Sequence, residues 1–325
     1  MTDSRPLRIL LSEKTHQRIG QAVRTALGAR AFEPVIAATA LGGVPGDADL
    51  AFISRDVTGR STKHVIQEPT EAFYESLRAS PALQWVHVHS IGADRPIFAE
   101  LKARGVRVTT SPGVNAEVVA QTALAGILSL AREFPLLQRA QRRHEWVSLV
   151  ATGQPADLAG QTAVIVGWGA IGQRLAAFLR MLGLSVVAVR SAAEPAAGPD
   201  IDTVAFEDLG AVAGRADWLV IACPLTDRTR RLVDRGIFAA LKPGARLVNV
   251  GRGEVIAEPD LIEALRGGRL AGAYLDVFEH EPLGADSPLW DMDNVIVTPH
   301  SAGHSDGNEA RVDRMFLDHL REWAR

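Results

Sequence analysis

The chain has 325 residues, 47% hydrophobic and 22% charged, with 35 basic against 38 acidic side chains and a net charge of −3. That length suffices for two domains whose cores need neither disulfide nor metal, and one cysteine, Cys223, cannot pair internally, so nothing points to an oxidising compartment. No basic run marks a nucleic-acid or anionic-membrane partner, the N-terminal apolar run is too short for a signal core, and no segment nears the roughly 18 apolar residues of a membrane span; a cytoplasmic protein is expected.

In chain order, Leu7–Leu11 reads as a strand followed by a helix to about Leu27. Strands follow at Leu50–Ile53, Trp85–His89 and Val106–Thr109, with helical patterns over 70–79 and 96–103 between them. Alternation of this kind predicts a parallel sheet covered on both faces. The longest helical stretch runs from Asn115, a candidate N-cap after Pro112-Gly113, to about Arg143, with Pro135 expected to kink or end it. Its almost wholly apolar first half belongs between layers. After a Gly/Pro/Ala-rich loop the alternation restarts, with strands at 162–166, 185–189, 217–221, 245–249, 270–275 and 295–297. This is a second doubly wound unit of about six strands. An Ala/Pro/Gly stretch at 192–199 lies where a cofactor-side loop belongs, and 305–323 is an amphipathic helix.

The strand AVIV, 163–166, runs into Gly167-Trp168-Gly169-Ala170-Ile171-Gly172 and then a helix. Gly167 permits the tight turn, Gly169 lets a pyrophosphate approach the backbone, and Gly172 lets helix and strand pack closely. The helix start offers N–H groups and partial positive charge to phosphates. The next strand ends at Arg190-Ser191, where an NAD-binding unit carries an Asp or Glu for the ribose 2′-OH. A guanidinium there pairs with a 2′-phosphate, which favours NADP(H) while leaving NAD(H) possible.

Three more strand ends carry VNVGRGE (248–254), LDVFEHEPL (275–283) and VTPHSAG (297–303), delivering Arg252, Asp276, Glu281 and His300 to the carboxyl edge where such sheets bind ligands. With VGWGAIG, ADWLVIACPLTDRTRRLV, LKPGARLVNVGRGEVI, AYLDVFEHEPL and SPLW, the chain resembles the D-2-hydroxyacid dehydrogenases over nearly its whole length, in the manner of a glyoxylate/hydroxypyruvate reductase.

The resemblance implies an α/β protein of two doubly wound parallel-sheet domains, with a Rossmann dinucleotide domain (113–300) inserted in a flavodoxin-like substrate domain (1–112 and 301–325). It implies hydride transfer between NAD(P)H and C2 of a small 2-keto or 2-hydroxy acid. Arg252 would grip the keto acid and His300 act as general acid/base. Glu281 would stabilise and orient the protonated ring; Glu279 and His280 are neighbours from which the family spacing selects it. Cys223, Pro224, Thr229, Val250, Gly251 and Asp276 would line the nicotinamide side, and His300 would also contact cofactor and substrate. The backbone of Ile91 and Gly92, in WVHVHSIGAD, would receive the substrate carboxylate. His87 reads as a satisfied buried histidine, while His89 reads equally as a substrate contact or a packing residue. Arg55, in FISRD, reads as a ligand for a second carboxylate or phosphate, or as the partner of Asp56 or Asp94. Cys223 reads as a buried structural thiol, and Trp290 as a packing residue. A homodimer is expected, with the apolar segment 115–134 as interface element. The alternative is a non-enzymatic dinucleotide-sensing scaffold or corepressor on the same fold.

Overall fold

The computed structural model describes residues 5–37, 42, 47–62, 65–192 and 200–324. Most of the 192–199 stretch, and the outermost chain ends of the expected substrate domain, lie outside the described residues. The chain divides into two units, 1–114 with 305–325, and 115–304.

In the first unit the chain runs β1 (Leu7–Leu11), α1 (Glu13–Leu27), β2 (Phe32–Ile36), β3 (Leu50–Ile53), α2 (Arg55–Thr58), α3 (Glu68–Arg78), β4 (Trp85–Val88), α4 (Pro96–Ala103) and β5 (Arg107–Thr109). All pairings are parallel, in the order β2-β1-β3-β4-β5, the flavodoxin-like winding. β2, FEPVI, is a strand that the sequence pattern does not reveal. Pro34 lacks the N–H of an interior strand, and the fold tolerates it because β2 is an edge.

The second unit contains α5 (Ala116–Ala131), α6 (Phe134–Arg142), α7 (Leu149–Thr152), β6 (Thr162–Val166), α8 (Ala170–Met181), β7 (Ser185–Arg190), β8 (Asp202–Ala205), α9 (Leu209–Ala213), β9 (Trp218–Ile221), α10 (Arg235–Ala240), β10 (Ala245–Asn249), α11 (Glu258–Arg266), β11 (Leu270–Leu275) and β12 (Val295–Val297). Its parallel sheet has the order β12-β11-β10-β9-β6-β7-β8, a Rossmann winding with one strand added beyond the six expected. The unforeseen strand is β8, a half-exposed DTVA on the other edge. Among the described residues no α-helix joins β11 to β12; a 3₁₀ turn at Pro288–Trp290 does so.

The helical stretch expected over 115–143, with a kink or stop at Pro135, is two helices. α5 stops at Ala131, Glu133 adopts a left-handed φ of 58°, and Pro135 falls in the first turn of α6, where its missing N–H costs nothing. Asn115 occupies the N-cap position of α5 without a side-chain cap bond; its amide lies instead against Gly303. Val119, Ala120, Ala123, Ile127 and Leu130 recur at helical spacing and are buried within this unit, in a core shared with α8 and the sheet.

The chain then returns to the first unit as α12 (Asn308–Trp323). Val312, Phe316 and Leu320 enter the core of β1, β3 and α1, and the Phe316 ring stacks on Phe52 at 4.4 Å. Full burial of Phe316 and Leu320 contributes about 1.5–3 kcal/mol apiece. Arg18 of α1 grips Asp313 through two bonds, 2.6 and 2.9 Å. Beside them lies His87, fully buried, with Nδ1 on Thr109 Oγ1 at 2.8 Å and Nε2 on Ser111 Oγ at 3.1 Å. Burial, with His319 and His89 nearby, pushes it down to about 3, so it is a neutral core histidine. No described helix is long and apolar enough to cross a membrane.

Candidate functional site

The glycine turn is built by space as much as by sequence. Gly167 has φ 112°, and a Cβ there would lie 2.5 Å from the Cys223 nitrogen, so the turn presses on the end of β9. A Cβ at Gly172 would meet the Gly167 carbonyl oxygen at 2.0 Å, which demands glycine where α8 leaves the strand. Gly169, the N-cap of α8, faces open space. Ala170, Ile171 and Gly172 form the first turn of α8, whose amides have no acceptor within the helix. A concave backbone with a helix N-terminus at its floor fits a pyrophosphate. Trp168 is half-buried over the core beneath, its carbonyl accepting from Gln173.

Arg190 ends β7, with Ser191 next. A second cation, absent from the sequence reading, stands there. Arg228 donates to the Ser191 carbonyl at 2.8 Å and pairs with Glu207 at 2.6 Å. Its signal was the basic run DRTRR after Cys223-Pro224-Leu225-Thr226, but only the fold brings that run to the end of β7. Glu207 offsets its charge, so Arg228 shapes the site more than it electrifies it.

Cys223 is 2% exposed, and burial pushes its thiol up to about 12, as a structural cysteine requires. Pro224 beside it is exposed. Thr229 is buried with its hydroxyl spent on the loop, accepting from the Thr226 amide at 2.8 Å and donating to the Pro224 carbonyl at 2.7 Å. It braces the 224–229 turn.

β10, β11 and β12 are consecutive neighbours, so the residues after them emerge along one carboxyl edge. At the end of β10, the buried Asn249 is the brace: its Oδ1 accepts from the Gly251 amide at 3.0 Å and its Nδ2 donates to the Arg252 carbonyl at 3.1 Å. Val250 is buried, its amide on the Ile221 carbonyl. Gly251 and Gly253 are glycine for want of room. A Cβ on Gly251 would meet the Cys223 oxygen at 2.8 Å, and one on Gly253 the Phe278 carbonyl carbon at 1.9 Å. The Arg252 loop is thereby pressed against the segment that carries Glu281. Arg252 is half-buried and donates to the Gly251 carbonyl at 2.8 Å.

Glu281 Oε2 lies 2.7 Å from His300 Nδ1, and its Oε1 accepts from the Phe278 amide at 3.2 Å. Glu279 turns away to pair with Arg231 at 3.1 Å, so of the two glutamates only Glu281 meets the histidine. The Glu281 side chain is 13% exposed against 49% for His300, an anchored carboxylate under an accessible ring. Asp276 is buried and holds the 298–302 loop through the Thr298 hydroxyl and the Ser301 and Ala302 amides. Burial outweighs these bonds and keeps its carboxyl above the ordinary value. No described group of His, Cys, Asp and Glu is placed to hold a metal.

In the first unit, Arg55 opens α2 beyond β3, and His89, Ile91 and Gly92 follow β4. Burial, and then Arg95 nearby, hold the Arg55 guanidinium below its usual value. Asp56 accepts from the hydroxyls of Ser12, Thr15 and Ser54, which hold its carboxylate against the start of α1. His89 Nε2 meets Thr58 Oγ1 at 2.8 Å, and Ser90 Oγ donates to the Gly92 carbonyl at 2.6 Å. Trp290, 49% exposed, donates to the Gly284 carbonyl and packs less than expected.

Residues 124–302 match the family model for the D-isomer specific 2-hydroxyacid dehydrogenase, NAD binding domain. The chain is 35% identical over 238 residues to D-3-phosphoglycerate dehydrogenase of Mycobacterium bovis, covering 73% of this chain and 44% of that protein. The chain thus spans under half the length of the first curated relatives it matches. It is 31% identical over 260 residues to glyoxylate reductase of Korarchaeum cryptofilum, covering 79% and 77%. A D-isomer specific 2-hydroxyacid dehydrogenase from Xanthobacter autotrophicus, solved with NADPH and MES, superposes with a TM-score of 0.75 at 28% identity, over 98% of this chain and 95% of that one.

Proposed function

The chain belongs to the D-isomer specific 2-hydroxyacid dehydrogenases, and on that premise we propose that it reduces a small 2-keto acid to the D-2-hydroxy acid with NADPH, in the manner of a glyoxylate/hydroxypyruvate reductase. The observation that carries this is the 2.7 Å Glu281–His300 pair on the same sheet edge as Arg252.

The α8 N-terminus, with Gly167, Gly169 and Gly172, would hold the cofactor pyrophosphate, and Arg190 and Ser191 the 2′-phosphate. Ala222 and Cys223 back the turn, while Val250, Gly251 and Asp276 border the nicotinamide side. When bound, the nicotinamide supplies a hydride. Arg252, planar and always charged, grips the keto acid and draws electron density onto the C2 oxygen. His300 gives that oxygen a proton from Nε2, because Glu281 occupies Nδ1 and fixes which nitrogen faces out. Glu281 keeps the ring oriented between turnovers. In the first unit, we propose that the Ile91 and Gly92 amides bind a carboxylate, with Arg55 and His89 as further contacts. The solved relative that carries NADPH and the cation at the end of β7 both favour NADP(H) over NAD(H).

Oxidation of NADPH followed at 340 nm with glyoxylate, hydroxypyruvate and pyruvate tests the reading. Turnover with at least one is expected; tight NADPH binding with none across a wider keto-acid series would replace it with a dinucleotide-sensing scaffold. The proposed assembly is a homodimer. The apolar face of α5 is consumed inside its own unit, so of the 115–134 segment the proposed interface keeps Phe134, 49% exposed, and adds Trp146, 99%, and Val150, 77%. Light scattering should give the mass of two chains, and of one chain for Trp146→Glu; a one-chain wild type would overturn the assignment.

A further inference from the structure

The backbone at His300 has φ 51°, a left-handed conformation uncommon for a residue with a side chain, and its surroundings hold it there. Those surroundings are one carboxylate and what orients it. Asp276, 2% exposed, accepts at Oδ1 from Thr298 Oγ1 (2.6 Å), the Ser301 amide (2.8 Å) and the Ala302 amide (3.1 Å). Its Oδ2 also accepts from Ala302, at 3.0 Å, and its main-chain carbonyl takes the His300 amide at 2.8 Å. Every residue from 300 to 302 is tied to this aspartate.

The relay does not stop there. A threonine hydroxyl has one proton, and that of Thr298 goes to the carboxylate. Its 2.8 Å contact with Tyr274 Oη is therefore one in which the phenol donates. Tyr274 donates to Thr298, Thr298 donates to Asp276, and Asp276 holds the amides that follow His300. Links in such a chain polarise and strengthen one another in a low-dielectric interior. Tyr274 is 2% exposed, and burial pushes its phenol up to about 12, so the donated proton stays in place through any ordinary assay pH.

α5 makes room for this arrangement. A Cβ on Gly126 would lie 2.4 Å from Tyr274 Cγ, so the ring fills a slot that only glycine leaves open. Thr122, one turn earlier on the same helix, has its hydroxyl 3.1 Å from the Ala302 carbonyl and 3.0 Å from the Val118 carbonyl, and shares its one proton between them. The helix therefore seats the first member of the relay and tethers the loop at its far end.

From this geometry we infer that Tyr274 is a positioning residue for proton transfer at His300, acting through Thr298 and Asp276. The inference rests on the acid–base reading of His300. Glu281 sets the rotation of the imidazole about its own axis, while the relay sets where the ring stands, and efficient proton transfer needs both.

The test uses the full chain, with NADPH and whichever of the three keto acids turns over. Tyr274→Phe keeps the ring in the Gly126 slot and removes only the donated proton. We expect kcat to fall roughly 5- to 20-fold, with substrate KM and NADPH Kd within about twofold of wild type. Thr298→Val should reproduce the loss, and Thr298→Ser should restore most of it. Because the two residues act in series, Tyr274→Phe should cost less than about twofold on top of Thr298→Val. A wild-type kcat in Tyr274→Phe, or losses that multiply in the double variant, would overturn the inference. If Tyr274→Phe does not fold, the Val and Ser variants at Thr298 decide it, an equal kcat in both counting against. Near-normal turnover in His300→Ala would overturn the acid–base reading and this inference together, whereas an inactive His300→Ala beside a normal Tyr274→Phe would overturn this inference alone.

Discussion

His300→Ala is expected to lower kcat by about 10³-fold, within the 10²–10⁴ range that a positioned general acid contributes, while leaving NADPH affinity within about threefold. The separation follows from where the residue sits. Its ring is half-exposed beyond β12 and is held by Glu281, whereas the backbone turn proposed to bear the cofactor phosphates is formed by β6 and α8. Arg252→Ala should lose about 10²–10³ in kcat, the cost of removing one preorganised donor from a developing oxyanion, and should also raise KM, because the guanidinium grips the ground-state keto acid as well. Glu281→Gln keeps the shape of the pair but removes its charge, and should fall between the two. Titration of each variant with NADPH by protein fluorescence, alongside steady-state rates, separates loss of chemistry from loss of the cofactor. Near-normal rates in either alanine variant would remove that residue from the mechanism.

Arg190→Asp should exchange the cofactor preference. A charge-assisted bond to a 2′-phosphate is worth about 1.5–3 kcal/mol, or roughly 10- to 100-fold in Kd. Replacing it with a carboxylate adds repulsion to that loss and offers NAD a partner for its 2′-hydroxyl. NADPH should therefore weaken about 100-fold or more while NADH tightens several-fold. Arg228 cannot take over, because Glu207 and the Ser191 carbonyl already hold it. Equal or tighter binding of NADH by the wild type would remove Arg190 as the determinant, leaving the glycine turn and the Arg252–Glu281–His300 edge untouched.

How much of this was legible in the sequence depends on whether a residue acts locally or across the fold. Alternating apolar runs announced every interior strand. The two strands missed, β2 and β8, are sheet edges, where burial is incomplete and a proline or an aspartate is tolerated. The glycine turn was readable because its three tasks are local: a positive φ at Gly167, open space at Gly169 and close packing at Gly172. Glu281 was distinguishable from Glu279 only by spacing; in the fold the difference is physical, since Arg231 holds one and His300 the other. Asn249 lies within VNVGRGE, yet its bracing of Gly251 and Arg252 exists only once the turn closes. Tyr274, Thr298 and Gly126 come from a strand, the residue just after another and a helix, and no local pattern links them. Asn115 shows the reverse: a good N-cap by sequence whose side chain makes no cap bond and lies against Gly303.

In the proposed function the glycine turn and the His300 edge form one hydride-transfer site. NADPH deuterated at its transferable C4 position, incubated with the accepted keto acid in ordinary water, tests it most directly, with the product read by mass spectrometry and NMR. One deuterium at C2 of a D-2-hydroxy acid is expected for each NADPH oxidised, and no such product from His300→Ala on the same timescale. A product whose C2 hydrogen comes from solvent, or NADPH bound at the turn with no labelled acid formed from any 2-keto acid, would contradict it.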